Sequence, residues 1–345
     1  MPSLAYAGQS NFVAALVGTI FLTAGGLQAQ LTYTTISDPL GTSTWARAVS
    51  GGEILGNYLD NQGNGHGFIY NGTSYTTLDD PYAFGYFGTQ PSGISGHMIV
   101  GSYQDVRDGW VRGFTYEDGS FTPLDDPLAT GTTEIEGISG NTIVGIYQDS
   151  ADQFEGFSYN GSTFTTLDDP AAMNGTFAMG ISGNTIVGYY RGASNGAGSS
   201  THGFIYNGST YTNFDFPSSS SGGTAVDPLL TEPAGVSGNL VVGYTLLDFI
   251  TFPGTGVNTV SGEDGFVYDG TNFSTLSDPA AATEYGYGTS AQGIDGNTVV
   301  GFYYLNYDTT EGFEVTVPEP GSGLIVAMAG AWLMRRARQR PLFQN

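Results

Sequence analysis

The chain has 345 residues, a formal net charge of −24 at pH 7, no cysteine and no lysine. That composition excludes disulfides, thiol catalysis and Cys-ligated zinc, and so acidic a field repels nucleic acid and anionic lipid while favouring cations or cationic partners. The bias is stronger than the total suggests. Four of the eight arginines (Arg335, Arg336, Arg338, Arg340) crowd the C-terminal end, so Leu31 to Val317 holds 31 acidic against 4 basic residues, a net of −27.

In chain order, the first feature is an apolar stretch from Phe12 to Ala24, followed by Leu27-Gln28-Ala29, a small-residue cleavage site before Gln30. This reads as a signal peptide over residues 1–29 and predicts export, although no Lys or Arg precedes the apolar stretch. Next comes Tyr33-Thr34-Thr35-Ile36-Ser37-Asp38-Pro39, a phrase that returns later.

From there the chain repeats itself. GISGNTIVG occurs at Gly137 to Gly145 and again, letter for letter, at Gly180 to Gly188. Looser copies stand at Ala48, Gly93, Gly235 and Gly293, making six in all. Each is followed by a second phrase, GFIYNG at Gly67 and Gly203, GFTYEDG at Gly113, GFSYNG at Gly156, GFVYDG at Gly265 and a bare GFEV at Gly312. A third phrase closes the first five units: YTTLDDP at Tyr75, FTPLDDP at Phe121, FTTLDDP at Phe164, YTNFDFP at Tyr211 and FSTLSDP at Phe273.

Each unit therefore predicts four short strands rich in β-branched and aromatic residues, punctuated by Gly, Asn and Asp. They are termed here a (ending G-I-S), b (T-I-V-G-x-Y), c (G-F-x-Y) and d (Y-T-T-L-x-D-P). The Phe and Tyr of strand c, Phe157 and Tyr159 for example, lie two apart and share one face of the sheet, which is the packing face. Ser-Gly-Asn between a and b, and Asn-Gly-Ser between c and d, supply the positive φ of tight hairpins. A four-stranded unit of about 45 residues is the size of one propeller blade. The expected fold is all-β: a six-bladed β-propeller of four-stranded blades over residues 30–317. The sixth unit lacks a d strand, and the N-terminal phrase at Tyr33 to Pro39 is expected to pair into the last blade and close the ring, leaving no open edge. The glycine recurring in strand b (Gly56, Gly101, Gly145, Gly188, Gly243, Gly301) is expected where backbones crowd. Its spacings of 45, 44, 43, 55 and 58 are too elastic for the stacked coils of a β-solenoid.

Extra length falls between strands b and c and between d and the next a, connections that share one face of the ring. That variable face is the candidate binding face, because loops on a rigid scaffold usually carry recognition. Ten aspartates are expected near it: Asp79-Asp80, Asp125-Asp126 and Asp168-Asp169 at the ends of d strands, and Asp105, Asp108, Asp149 and Asp152 in b-to-c loops. Clustered loop carboxylates suit calcium, whereas Asp before Pro also simply shapes a turn. No D-x-D-x-D-G loop is present. His66 and His202 occupy a slot filled elsewhere by Arg112, Glu155, Asp264 and Glu311, and His97 replaces a turn Asn, so all three read as surface residues. There is no G-x-S-x-G elbow, no H-E-x-x-H and no P-loop. The chain thus reads as non-enzymatic, with no cofactor beyond calcium suggested.

The C-terminal segment, residues 318–345, carries Val317-Pro318-Glu319-Pro320, an apolar run from Gly323 to Met334, and Arg335-Arg336. Three parts in this order at this end resemble the PEP-CTERM sorting signal of Gram-negative surface proteins. The resemblance implies recognition by an exosortase, a membrane-embedded Cys-dependent enzyme acting near Pro-Glu-Pro, and hence a place at the cell envelope or in the extracellular matrix. The arginines would hold the C-terminal end on the cytoplasmic side. The apolar run of 12 residues spans about 18 Å as a helix, against roughly 30 Å of hydrocarbon, which suits a transient anchor in the membrane. The run is short for that family, and the chain continues past the arginines to Asn345. The repeats, with H-G-F-I-Y-N-G at His66 and His202, are similar to HAF-type repeats of extracellular bacterial proteins, a resemblance that implies no activity. Both chain ends are expected to leave by the tight-turn face, turning the acidic loop face outward. The expected role is a surface or matrix protein whose loop face binds extracellular polysaccharide or calcium. The alternative is a carbohydrate-active hydrolase or lyase with carboxylates at the central channel. A carboxylate pair about 5 to 10 Å apart on the ring axis would favour the hydrolase, and carboxylates spread around the rim would favour binding.

Overall fold

The structure, a computed structural model, describes residues 31–192, 201–217, 230–246, 249–251, 258–260, 263–282 and 288–319. The expected signal peptide lies outside the described residues, and so does the C-terminal segment from Pro320 onward, including Arg335 and Arg336. Among the described residues no helix is long and apolar enough to cross a membrane.

Every described element is a β-strand, arranged as a β-propeller of four-stranded blades. In the blade formed by Thr133–Ser139, Thr142–Gln148, Phe154–Tyr159 and Phe164–Leu167, each strand pairs antiparallel with the next. The phrases of the repeat specify this meander directly. Gly140 adopts φ 57° in the a-to-b turn and Gly161 φ 90° in the c-to-d turn, a conformation that side chains with a Cβ rarely take. Asn160 stiffens the second turn by accepting the Ser162 and Thr163 N–H groups at 3.0 and 2.9 Å.

The buried face of each blade is built by strand c. Phe68, Phe114, Phe157, Phe204, Phe266 and Phe313 are all 0 % exposed, and the tyrosine two residues on packs at the edge of the same cluster in most blades. The glycine of strand b is required by this packing. A Cβ at Gly145 would meet the Glu134 carbonyl oxygen on strand a and come within 2.9 Å of the Phe157 ring on strand c.

Among the described residues, four blades stand as separate four-stranded sheets, and one sheet has eight strands. The expectation of six separate sheets is corrected to that extent. The eight-stranded sheet holds two antiparallel meanders, one starting at Thr176–Ser182 and the other at Leu230–Ser237, joined through a single parallel pair, Thr201 with Leu230. That pair forms because the start of one c strand lies against the start of the next a strand. A further hairpin, Phe249–Thr251 with Asn258–Val260, lies between strands b and c of the second meander. The N-terminal strand Tyr33–Ile36 pairs with the last strand, Thr309–Thr316, in the register Tyr33 to Val315 and Ile36 to Gly312. Val317 N–H then donates to the Asn297 carbonyl at 2.9 Å, which places Val317 beside the tight a-to-b turn of that blade.

Every a-to-b pairing carries a β-bulge at the same place. The register shifts between Ala46 and Ala48, Pro91 and Gly93, Ile135 and Gly137, Ala178 and Gly180, Pro233 and Gly235, and Ala291 and Gly293. The skipped residues are Arg47, Ser92, Glu136, Met179, Ala234 and Gln292. A bulge re-aims the extra side chain, and here all six line one narrow space of about 100 Å³ together with the small residue that follows each.

Candidate functional site

The ten aspartates are distributed around the blades rather than gathered at one point. Among the described residues no group of three or more His, Asp or Glu side chains is placed to hold a metal ion, and most of these carboxylates have other partners. Asp80, Asp126 and Asp169 are buried corner residues. Each accepts the N–H two residues on at 2.8 Å, and each donates its own N–H to a buried threonine of the next a strand, Thr89, Thr133 and Thr176. Asp38 and Asp278 repeat this corner. Burial raises the Asp80 and Asp126 pKa. Asp149 accepts the Ala151 and Gln153 N–H groups, and Asp152 turns its loop at φ 59°.

The first aspartate of the phrase takes part in a second device. His66 bonds Asp79 at 2.8 Å, Arg112 bonds Asp125 at 2.9 Å, His202 bonds Asp215 at 2.9 Å, and Ser277 bonds Asp264 at 3.0 Å. The variable slot before G-F therefore ties strand c to the end of strand d. In the third blade the tie is reversed, since Glu155 there faces Asp168 and its pKa is raised by burial and by that carboxylate. The His66 pKa is lowered by burial but raised more by Asp79 and Asp60. His97 is exposed in its turn.

In the second blade the loop face carries an exposed aromatic group. Asp105, 0 % exposed, is ion-paired with Arg107 and, at 3.2 Å, with Arg112, which also pairs with Asp108. The Arg107 hydrogen bonds hold the Asp105 pKa down at about 2. Around this knot the b-to-c loop is bound to the d-to-a loop by Val106 N–H to the Tyr82 carbonyl, 2.9 Å, and Phe84 N–H to the Gln104 carbonyl, 3.2 Å. The result displays Tyr82, Phe84, Tyr86 and Trp110 to solvent. Arg107 lies 4.1 Å over the Tyr82 ring, and the Trp110 ring packs against Gly131, where a Cβ would collide with it. Tyr82 and Trp110 are thus held in place while remaining exposed.

The axis holds the second feature. On the loop-face side of the bulge ring lies a cavity of about 320 Å³, lined by Glu232, Tyr244, Glu263, Tyr304, Arg47 and Gln292 among others. Glu232 pairs across the ladder with Tyr244, and Tyr244 with Gly265. Because side chains alternate along a strand, Glu232, Tyr244 and Glu263 share one face, aimed at the axis. The Tyr244 hydroxyl donates to Glu232. Gln292 Nε2 donates to the Ser290 hydroxyl at 2.8 Å, and that hydroxyl in turn bonds Glu263. Burial raises the Glu232 pKa, and burial, with Glu232 nearby, pushes Glu263 up to about 7. Across the channel, burial and the neighbouring Glu134 push Glu136 up to about 8, opposed by Arg47. Arg47 itself donates Nε–H to Asn57 at 3.1 Å.

None of these axial glutamates stood out in the sequence. The signal was available: the letter before G-I-S (Arg47, Ser92, Glu136, Met179, Ala234, Gln292) and the letter two earlier (Trp45, Gln90, Glu134, Phe177, Glu232, Ser290) change from unit to unit while their surroundings persist.

No family model and no curated protein matches the chain. Solved structures similar in strand arrangement include a mutant of the Aleuria aurantia lectin in complex with α-methyl-L-fucoside, at 14% identity, covering 81% of this chain and 97% of that one, TM-score 0.42. AofleA from Arthrobotrys oligospora is similar at 13% identity, 84% and 91% coverage and TM-score 0.47. The β-propeller domain of the Pyrococcus furiosus trilobed protease, described as having an open velcro topology, gives 8% identity, 79% and 92% coverage and TM-score 0.44. The class defined by the fold and site is a β-propeller with an aromatic loop face and an acidic axial cavity.

Proposed function

We propose that the protein is an exported six-bladed propeller that binds extracellular polysaccharide through its loop face. The observation that carries this reading is the exposed set Tyr82, Phe84, Tyr86 and Trp110, fixed around the buried Asp105 ion pairs. Several aromatic side chains clustered in the open mark an interaction surface. The negative faces of their rings stack on the C–H faces of sugar rings, and the flanking Asp108 and Arg112 offer hydrogen bonds to hydroxyls. The count of six treats the eight-stranded sheet as two blades, in keeping with six bulged a strands around one axis. Export rests on residues 1–29. Sorting to the envelope by an exosortase-type enzyme rests on Val317 to Pro320 with Arg335 and Arg336. The adjacency of Val317 to a tight turn supports a loop face directed away from the membrane.

The test is binding of the full chain to a panel of soluble bacterial polysaccharides by calorimetry, beside Tyr82→Ala/Trp110→Ala. A loss of tenfold or more in affinity, equal to about 1.4 kcal/mol, with an unchanged melting temperature supports the reading. Binding that is unaffected by the double substitution, or absent across the panel, defeats it.

A further inference from the structure

We propose that the axial cavity is a glycoside-hydrolysing site, distinct from the aromatic loop face, with Glu263 as general acid and Glu232 as general base. The inference rests on the polysaccharide reading only for the class of its natural substrate. Its groups lie on different residues from those of the rim.

Two carboxyl groups facing one cavity are the minimum equipment for breaking a glycosidic bond. Here they come from strands a and c of one blade, separated by strand b and staggered by two residues, since Glu232 stands level with Tyr244 and Gly265; their backbones therefore lie roughly 12 Å apart. Their side chains project to the same cavity. That separation leaves room for a water beside the sugar, as the inverting mechanism needs, with carboxyls roughly 6.5 to 9.5 Å apart. Glu263 gives its proton to the leaving glycosidic oxygen as the C1–O bond breaks. Glu232 takes a proton from the water whose oxygen forms the new bond to C1. One water is consumed, no electrons change hands, and the two carboxyls exchange states until solvent resets them.

The surroundings favour these assignments. Glu263 is desolvated and is pushed up to about 7, so it carries its proton below neutrality. Its tie runs back through Ser290 to Gln292 on the neighbouring blade, which fixes its orientation. Burial raises the Glu232 pKa as well, but the Tyr244 hydroxyl it accepts holds it in place and opposes that rise, favouring its anionic form. Arg47, Gln292 and Tyr304 are among the other lining residues, where they can engage sugar hydroxyls. Most rim aspartates are instead committed to a corner, a loop or a cation.

The experiment incubates the full chain with soluble polysaccharides and with 4-nitrophenyl glycosides, measuring reducing ends and nitrophenolate. Glu232→Gln should lower both rates by about 100-fold or more, the usual range for a lost acid or base. Glu263→Gln should lower polysaccharide cleavage by about 100-fold yet spare much of the nitrophenyl glycoside rate, because nitrophenolate departs without a proton. A merely structural role for Glu263 would depress both substrates alike, and that result overturns the assignment. So does the absence of hydrolysis from both substrate sets, or cleavage indifferent to Glu232→Gln. Tyr82→Ala/Trp110→Ala separates the two readings: it removes polysaccharide binding while leaving nitrophenyl glycoside cleavage intact. A chain that binds polysaccharide and cleaves nothing keeps the proposed function and loses this inference.

Discussion

Two acidic regions of one molecule behave oppositely. At the blade corners, aspartates recur in the same phrase, and all but Asp168, which faces Glu155, are engaged by backbone N–H groups or by a partner thirteen residues away. At the axis, glutamates occur in some units only, on bulged or channel-facing positions, with little to neutralise them. Repetition therefore marks architecture and irregularity marks chemistry. A carboxylate in every unit closes a turn, whereas one present in a single unit is free for a different use.

The largest loss of stability is expected at a repeated position. Phe157→Ala removes a ring that is 0 % exposed, and truncations of this kind cost about 3 to 5 kcal/mol. Urea denaturation should show that loss, and a cost below that of a channel substitution would invert the comparison.

Next in size is the corner. Asp126→Ala leaves the Leu128 N–H without its acceptor, which should cost about 1 to 3 kcal/mol. Millimolar calcium should leave the melting temperature unchanged in both proteins. A calcium-specific rise in the parent chain would return these aspartates to metal binding.

The channel should reveal itself through pH. Glu136 and Glu263 hold their protons in the folded state up to about 8 and about 7, above the unfolded carboxylate value near 4.3. Between those limits the folded chain binds more protons, so stability contributed by these groups falls as pH rises. Melting temperatures should therefore decline from pH 5 to pH 8, and Glu136→Gln should flatten the upper part of that decline. Glu134 and Arg47 face Glu136, so a double substitution with Glu134→Gln should flatten it further. Asp105 works in the opposite sense, its contribution being lost only as pH falls toward about 2.

The smallest effect is expected at the bulge itself. Met179→Gln changes a channel-lining residue that has no partner in the ladder, so stability should stay within about 0.5 kcal/mol. A larger loss would mean that the bulge residue belongs to the scaffold after all.

The blades were legible because their instructions are local and repeated. G-F-x-Y places a ring on the packing face, Asn-Gly-Ser bends a hairpin, and the phrase at Tyr33 to Pro39 matches the strand that the last unit lacks. The merging of two blades into an eight-stranded sheet was not legible, since it rests on one pair, Thr201 with Leu230, made between units of unequal loop length. The engagement of the aspartates was not legible for a related reason. Composition counts carboxylates, but which N–H or guanidinium already occupies each one, as Arg107 and Arg112 occupy Asp105, is settled only by the folded chain. The axial glutamates were hidden in the letters that a repeat alignment treats as noise. Nothing in a linear reading says that Glu136 is skipped by the ladder and turned to the axis.

The pairing of Tyr33–Ile36 with Thr309–Thr316 also has a mechanical side. The last strand is an interior strand, with ladders to both the N-terminal strand and Thr298–Asn306. Tension applied to the chain beyond Val317 would load these two ladders lengthwise and together, in shear, and could not peel them one bond at a time. Forced extraction is governed by the barrier to unfolding, and a tether fixed to an inner strand raises that barrier.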